Sequence, residues 1–107
     1  MQQRKELEAL AAFGERLASD LATAAARYHV KSDQRDILGY ESATVQAYVA
    51  WIERALPVPE HLRESVLLGA WGRGHAWDGE LDLVRRASEF YRELRAWGVS
   101  THAARPP

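Results

Sequence analysis

Apolar residues recur along this chain at helical spacing, and the densest run of them lies at 32–56, SDQRDILGYESATVQAYVAWIERAL. Leu38, Ser42, Val45, Val49, Ile52 and Leu56 follow steps of three and four, one stripe of an α-helix. Ile37, Thr44, Tyr48, Trp51 and Ala55 make a second stripe, and Ala43, Ala47 and Ala50 a third, small face. From Ser42 to Ile52 there is no charged side chain. Ser32 or Asp33 is placed to cap this helix by accepting a first-turn N–H. Pro57 and Pro59 end it, because proline lacks the N–H and disfavours α geometry in the residue before it. A helix apolar on nearly every side is expected to be buried on nearly every side. Gly39 is its weak point, costing about 1 kcal/mol relative to Ala inside a helix.

The same reading places other helices on both sides. Residues 2–29 form one long helix, because Leu7, Leu10, Gly14, Leu17, Leu21, Ala24 and Tyr28 alternate steps of three and four as a heptad seam. Gly14 and Ala24 are small seam positions that let a neighbour come close, and Phe13 widens the seam. Its outer face carries Arg4–Glu8 and Arg16–Asp20 at i, i+4. Residues 29–32 turn the chain into the central helix. After LPVP a shorter helix runs over about 60–71, with Pro59 in its first turn. WGRGHAWDG, 71–79, has three glycines and reads as a loop. Asp78 then caps a last helix, with Leu81, Val84, Ala87 or Ser88, Tyr91 and Leu94 inward and Gly98 as its stop, Val99 folding back on Leu94. No repeat and no strand-like alternation interrupts this series.

The fold class is therefore all-α. The expected architecture is an antiparallel four-helix bundle with two long N-terminal helices and two shorter C-terminal ones, in a single domain at 1–99, with 100–107 as a disordered tail. Each helix of a short bundle keeps an outer face. The apolar excess of the central helix therefore implies a partner covering it, and a second copy of the chain is the simplest one.

Composition narrows the chemistry. The chain has 107 residues, a formal net charge of −1 and no cysteine. Disulfides, thiolate zinc sites and cysteine nucleophiles are thereby excluded. Acids and bases are spread evenly, with no basic footprint for nucleic acid. MQQRKELEAL lacks the apolar core of a signal peptide, and no uncharged run approaches the roughly 20 residues of a membrane span. A cytoplasmic location is the expectation.

Within the central stretch, LGYESATVQAYV resembles the second half of a helix-turn-helix. Leu38 and Gly39 match its turn, and Ala43, Thr44 and Val45 match the opening of its recognition helix. The resemblance implies a DNA-binding regulator using 33–49, with 42–49 entering the major groove. Arg35 stands where that family has a small residue, Glu41 where it has a capping serine, and the would-be recognition helix has no Arg or Lys. Phosphate contact dominates DNA affinity. The favoured reading is a continuous buried helix containing one glycine.

The 71–79 loop is the candidate ligand site. Arg73, His75 and Asp78 offer three polar chemistries between Trp71 and Trp77, suited to gripping an anion or moving a proton. A helix connector needs the same residue types, which favours the structural account. No metal site is expected: neither Glu-x-x-His nor paired histidines at i, i+4 occur. No cofactor is implied and no serine sits in a nucleophile elbow. Arg85, Arg86, Arg92 and Arg95 are interleaved with Glu89 and Glu93, as on a solvated face. The expected function is a non-catalytic protein–protein interaction or regulatory module, a homodimer, with Val45, Tyr48, Val49, Trp51 and Ile52 as its interface. Nucleic acid and membrane are not expected partners, and a small-ligand binder or enzyme using the loop is the further alternative.

Overall fold

The computed structural model describes residues 2–54, 65, 67–69 and 80–103. They are helical apart from turns and caps, with no strand among them. α1 is Gln2–Ala25, α2 is Asp33–Glu53 and α3 is Leu81–Ala103. The all-α class follows directly.

α1 buries the seam that its spacing foretold. Leu10, Leu17, Leu21 and Ala24 are in the core, and Leu7 and Tyr28 pack against it from the edges. Ala11, Ala18 and Ala25 are buried beside them, so the apolar face is wider than a two-position seam. Gly14 is the point where three helices meet. A methyl placed there would lie 2.5 Å from Val49 Cγ2 on α2 and 2.7 Å from Phe90 Cε1 on α3. The absent side chain is what permits that approach. Phe13 stacks parallel to Phe90 at 6.2 Å beside this contact.

The helix ends at Ala25, short of the expected 29. Arg27 and Tyr28 donate their N–H groups to Ala24 and Ala25, one tightened turn that closes the helix. The reason is visible in their side chains, which turn toward α3. The Arg27 guanidinium meets the buried Glu80 carboxylate at 2.7 Å, and the Tyr28 hydroxyl donates to the same oxygen. Burial, then the nearby Glu80 charge, pushes the Tyr28 phenol up from its ordinary range.

Ser32 caps α2 as expected. Its hydroxyl oxygen accepts the Arg35 N–H at 3.2 Å while its proton goes to the His29 carbonyl. α2 then runs without a break through Gly39 to Glu53. The turn that a helix-turn-helix needs at Leu38–Gly39 is absent. Gly39 stands on an open surface, where an added methyl would meet nothing within 4 Å. No steric demand therefore bends the helix there.

α1 and α2 run in opposite directions. Ser42 donates to the Ala18 carbonyl at 2.7 Å, and further along α2 Val49 meets Gly14. α3 likewise opposes α1, pairing Arg86 with Asp20 at 2.7 Å and Phe90 with Gly14. Asp20 thus pairs across helices, with Arg86 also reaching Asp82.

Two boundaries differ from expectation. Ser65 lies outside a helix and its hydroxyl accepts the Leu68 N–H, so a helix starting near 60 does not pass through it; residues 67–69 are helical beyond this cap. α3 continues past Gly98 to Ala103, so 100–103 are helix and no cap stops the chain at Gly98. Glycine permits a left-handed stop without requiring one, and in a helix interior it costs only about 1 kcal/mol. No helix among the described residues is long and apolar enough to cross a membrane.

Candidate functional site

α2 presents two faces with different chemistry. Its inner face holds Leu38, Glu41, Ser42, Val45, Tyr48, Val49 and Ile52, all buried. Its outer face holds Asp36, Gly39, Tyr40, Ala43, Ala47, Ala50, Trp51 and Arg54, all exposed.

The inner face contains a buried carboxylate. Glu41 is 0% exposed and sits one turn from Leu38 and one turn from Val45, on the apolar stripe itself. Its Oε2 accepts from the Ser65 hydroxyl and, at 3.2 Å, from the Leu67 N–H. Its Oε1 accepts from the Tyr91 hydroxyl at 2.9 Å. Ser65 Oγ in turn accepts the Leu68 N–H at 3.1 Å. Glu41 and Ser65 together therefore cap the helical turn at 67–69, taking N–H groups that its first turn leaves free. One side chain joins α2, that turn and α3.

Burial pushes the Glu41 carboxyl up from its ordinary range; the hydrogen bonds from Ser65, Tyr91 and Leu67 pull it partly back. No cation among the described residues is in ion-pair range of it. The Tyr91 phenol is pushed up by burial and then by the Glu41 charge, which holds it protonated as a donor. The Tyr48 ring meets Tyr91 edge-on at 6.0 Å, and Phe90 meets Tyr91 the same way. The Ser65 and Tyr91 hydroxyls and the Leu67 and Leu68 N–H groups all find acceptors here, and Glu41, Ser65 and Tyr91 are buried. It fits a structural tie better than a reacting group.

The outer face is different. Tyr40 is 50% and Trp51 36% exposed, with the exposed alanines Ala43, Ala47 and Ala50 between them and Gly39 beside Tyr40. Between Asp36 and Glu53 the sole charged residue is Glu41, and it faces inward. Four turns of solvent-facing helix therefore carry no charge. A surface helix normally sets its charged residues on that side.

Four of the five residues expected at an interface lie elsewhere. Val45, Tyr48, Val49 and Ile52 are buried inside a single chain, and Trp51 alone of the five is on the surface. The expectation that α2 is buried nearly all round fails for the same reason. Leu38, Val45, Tyr48, Val49 and Ile52 are gathered on one side, and a single chain covers that side. Ser42 and Val45, which a recognition helix would point into DNA, are core residues. Trp71, Arg73, His75, Trp77 and Asp78, the loop candidates, lie outside the described residues. Among the described residues no cluster of His, Asp and Glu could hold a metal ion.

Glu41 and its partners were missed by sequence reasoning. A charged residue in phase with Leu38 and Val45 was the available signal. Its donors come from positions 65 and 91, which no local pattern links to it. A groove of about 550 Å³ opens between α1 and α2, with Ala18, Ser19, Ala22 and Ala50 among its lining and Glu15 and Glu53 at its end. The two carboxyls share a hydrogen bond, which pushes Glu53 up from its ordinary range. No known protein family, curated protein or solved structure matches this chain.

Proposed function

We propose that this chain is a non-catalytic protein–protein interaction module that works as a homodimer, with the outer face of α2 as its contact surface. On this reading the fold is a four-helix bundle in which the helix containing 67–69 is the fourth member. The observation that carries the proposal is the uncharged, solvent-facing surface between Asp36 and Glu53. Exposed helix faces of this kind mark association sites. Gly39, Ala43, Ala47 and Ala50 let a second helix come close, and helix separation is set by the side chains at the contact. Tyr40 and Trp51 add the large aromatic surface that dominates interface energetics.

A second copy is the occupant favoured because the face carries its own complement: an acid at one end and a base at the other. The buried Glu41 cluster supports the module by fixing the inner face of the helix that presents this surface.

Ala47→Glu tests the proposal. Ala47 is exposed, so the variant keeps its helix content and melting behaviour at low concentration. It is expected to weaken self-association at least tenfold in size-exclusion chromatography. Unchanged self-association in this variant would exclude the outer face.

A further inference from the structure

Resting on that reading, we infer that two copies pair their α2 helices in opposite directions about a twofold axis level with position 45, Asp36 of each copy facing Arg54 of the other. The inference comes from the order of residues on the exposed face. At 100° per residue, Asp36 and Arg54 fall on the same line along the helix. Gly39 and Ala50 fall together on one side of that line, and Tyr40 and Trp51 together on the other. Ala43 and Ala47 straddle it at the centre. From either end the face reads a charge, a small residue beside an aromatic, two central alanines, a second small residue beside an aromatic, and a charge.

A twofold axis perpendicular to the helices reverses direction along the helix and keeps side with side. It therefore sets Asp36 opposite Arg54, Gly39 opposite Ala50, Tyr40 opposite Trp51 and Ala43 opposite Ala47. Each pair closes twice, as an isologous contact requires. Opposite charges meet at both ends, and neither Asp36 nor Arg54 is in an ion pair among the described residues. The aromatics pack on one side while the smallest residues allow backbone approach on the other. A parallel pairing has none of this. It stacks Asp36 on Asp36 and Arg54 on Arg54, and like charges facing each other suppress association. All eight residues are exposed in the single chain.

The chain has no cysteine, so single thiols report the geometry directly. Gly39→Cys has open space around it, and Ala50→Cys is on the surface. Each variant is prepared separately, then the two are mixed and oxidised. Opposed pairing gives the mixed 39–50 disulfide well ahead of either symmetric one. Predominance of 39–39 and 50–50 disulfides overturns the register while leaving the surface intact. If the particle is dimeric and none of these disulfides forms, both the register and the surface are wrong. A monomeric native chain removes the proposed function itself.

Charge exchange gives a second readout that does not depend on thiols. Asp36→Arg and Arg54→Asp are each expected to weaken the dimer about three- to tenfold, as exposed pairs do when broken in duplicate. The double variant restores it. Absence of that rescue overturns the facing of the two residues.

Discussion

The Tyr91 hydroxyl donates to Oε1 of Glu41 across 2.9 Å, joining α3 to α2 where both side chains are buried. Through Glu41 the same link extends to Ser65 and the turn at 67–69. Loss of any partner in such a buried cluster strands the others, and the penalty falls on the groups left unpaired.

Tyr91→Phe removes one donor while keeping the ring against Tyr48 and Phe90. It is expected to lower stability by about 1–3 kcal/mol in urea unfolding. An unchanged midpoint contradicts the account of Glu41 as a tie.

The titration of Glu41 has a definite sign. Its folded pKa lies above its ordinary value of 4.5, because burial penalises the ionised form. The folded state therefore holds its proton more tightly than the unfolded one. The contribution of this group is fully present below about pH 4.5 and is lost as pH rises through the folded value. Glu41→Gln removes that decline. The difference in melting temperature between the native chain and the variant is expected to move in the variant's favour from pH 4 to pH 8. Two parallel curves contradict the raised pKa.

Gly14 and Gly39 are both helical, and they make opposite predictions. Alanine gains about 1 kcal/mol over glycine inside a helix. At Gly39 nothing opposes that gain, so Gly39→Ala stabilises the isolated chain by about that amount. At Gly14 the new methyl collides with Val49 and Phe90, neither of which is a free chain end. Overpacking costs typically about 1–3 kcal/mol, so Gly14→Ala is expected to be neutral to destabilising by up to about 2 kcal/mol. Thermal unfolding of both variants at low protein concentration checks the contrast. A Gly14→Ala chain as stable as Gly39→Ala refutes the three-helix contact.

How far these features could be read in advance depends on the range of the interactions that set them. The α1 seam was legible because its period is local, and Leu10, Leu17 and Leu21 need no knowledge of what covers them. The Ser32 cap was legible for the same reason. The inner side of α2 was visible in Leu38, Val45, Val49 and Ile52, yet the apolar count alone did not say that Tyr48 turns inward to Tyr91. Residue size holds part of the missing information: Leu38, Val45, Val49 and Ile52 went to the core and Ala43, Ala47 and Ala50 were left outside, while the aromatics divide, Tyr48 inward and Tyr40 and Trp51 outward. Glu41 was illegible because Ser65 and Tyr91 are remote in sequence. Gly98 permits a stop without imposing one, so its presence alone does not fix where α3 ends.

The shared hydrogen bond between Glu15 and Glu53 predicts a second pH effect at the surface. The raised Glu53 pKa means that its contribution is present at low pH and lost as the pH rises. Glu53→Gln is expected to raise the melting temperature at pH 7 and to leave it unchanged at pH 4. The gain should shrink in high salt, since the pair is exposed. Equal effects at both pH values contradict a carboxyl pair.

The central claim is that the uncharged outer face of α2 is covered by a second copy. Sedimentation equilibrium of the native chain over a wide concentration range tests it most directly. The expected result is a particle of twice the 12.1 kDa chain mass at high micromolar concentration, dissociating on dilution. A single-chain mass throughout that range contradicts the account.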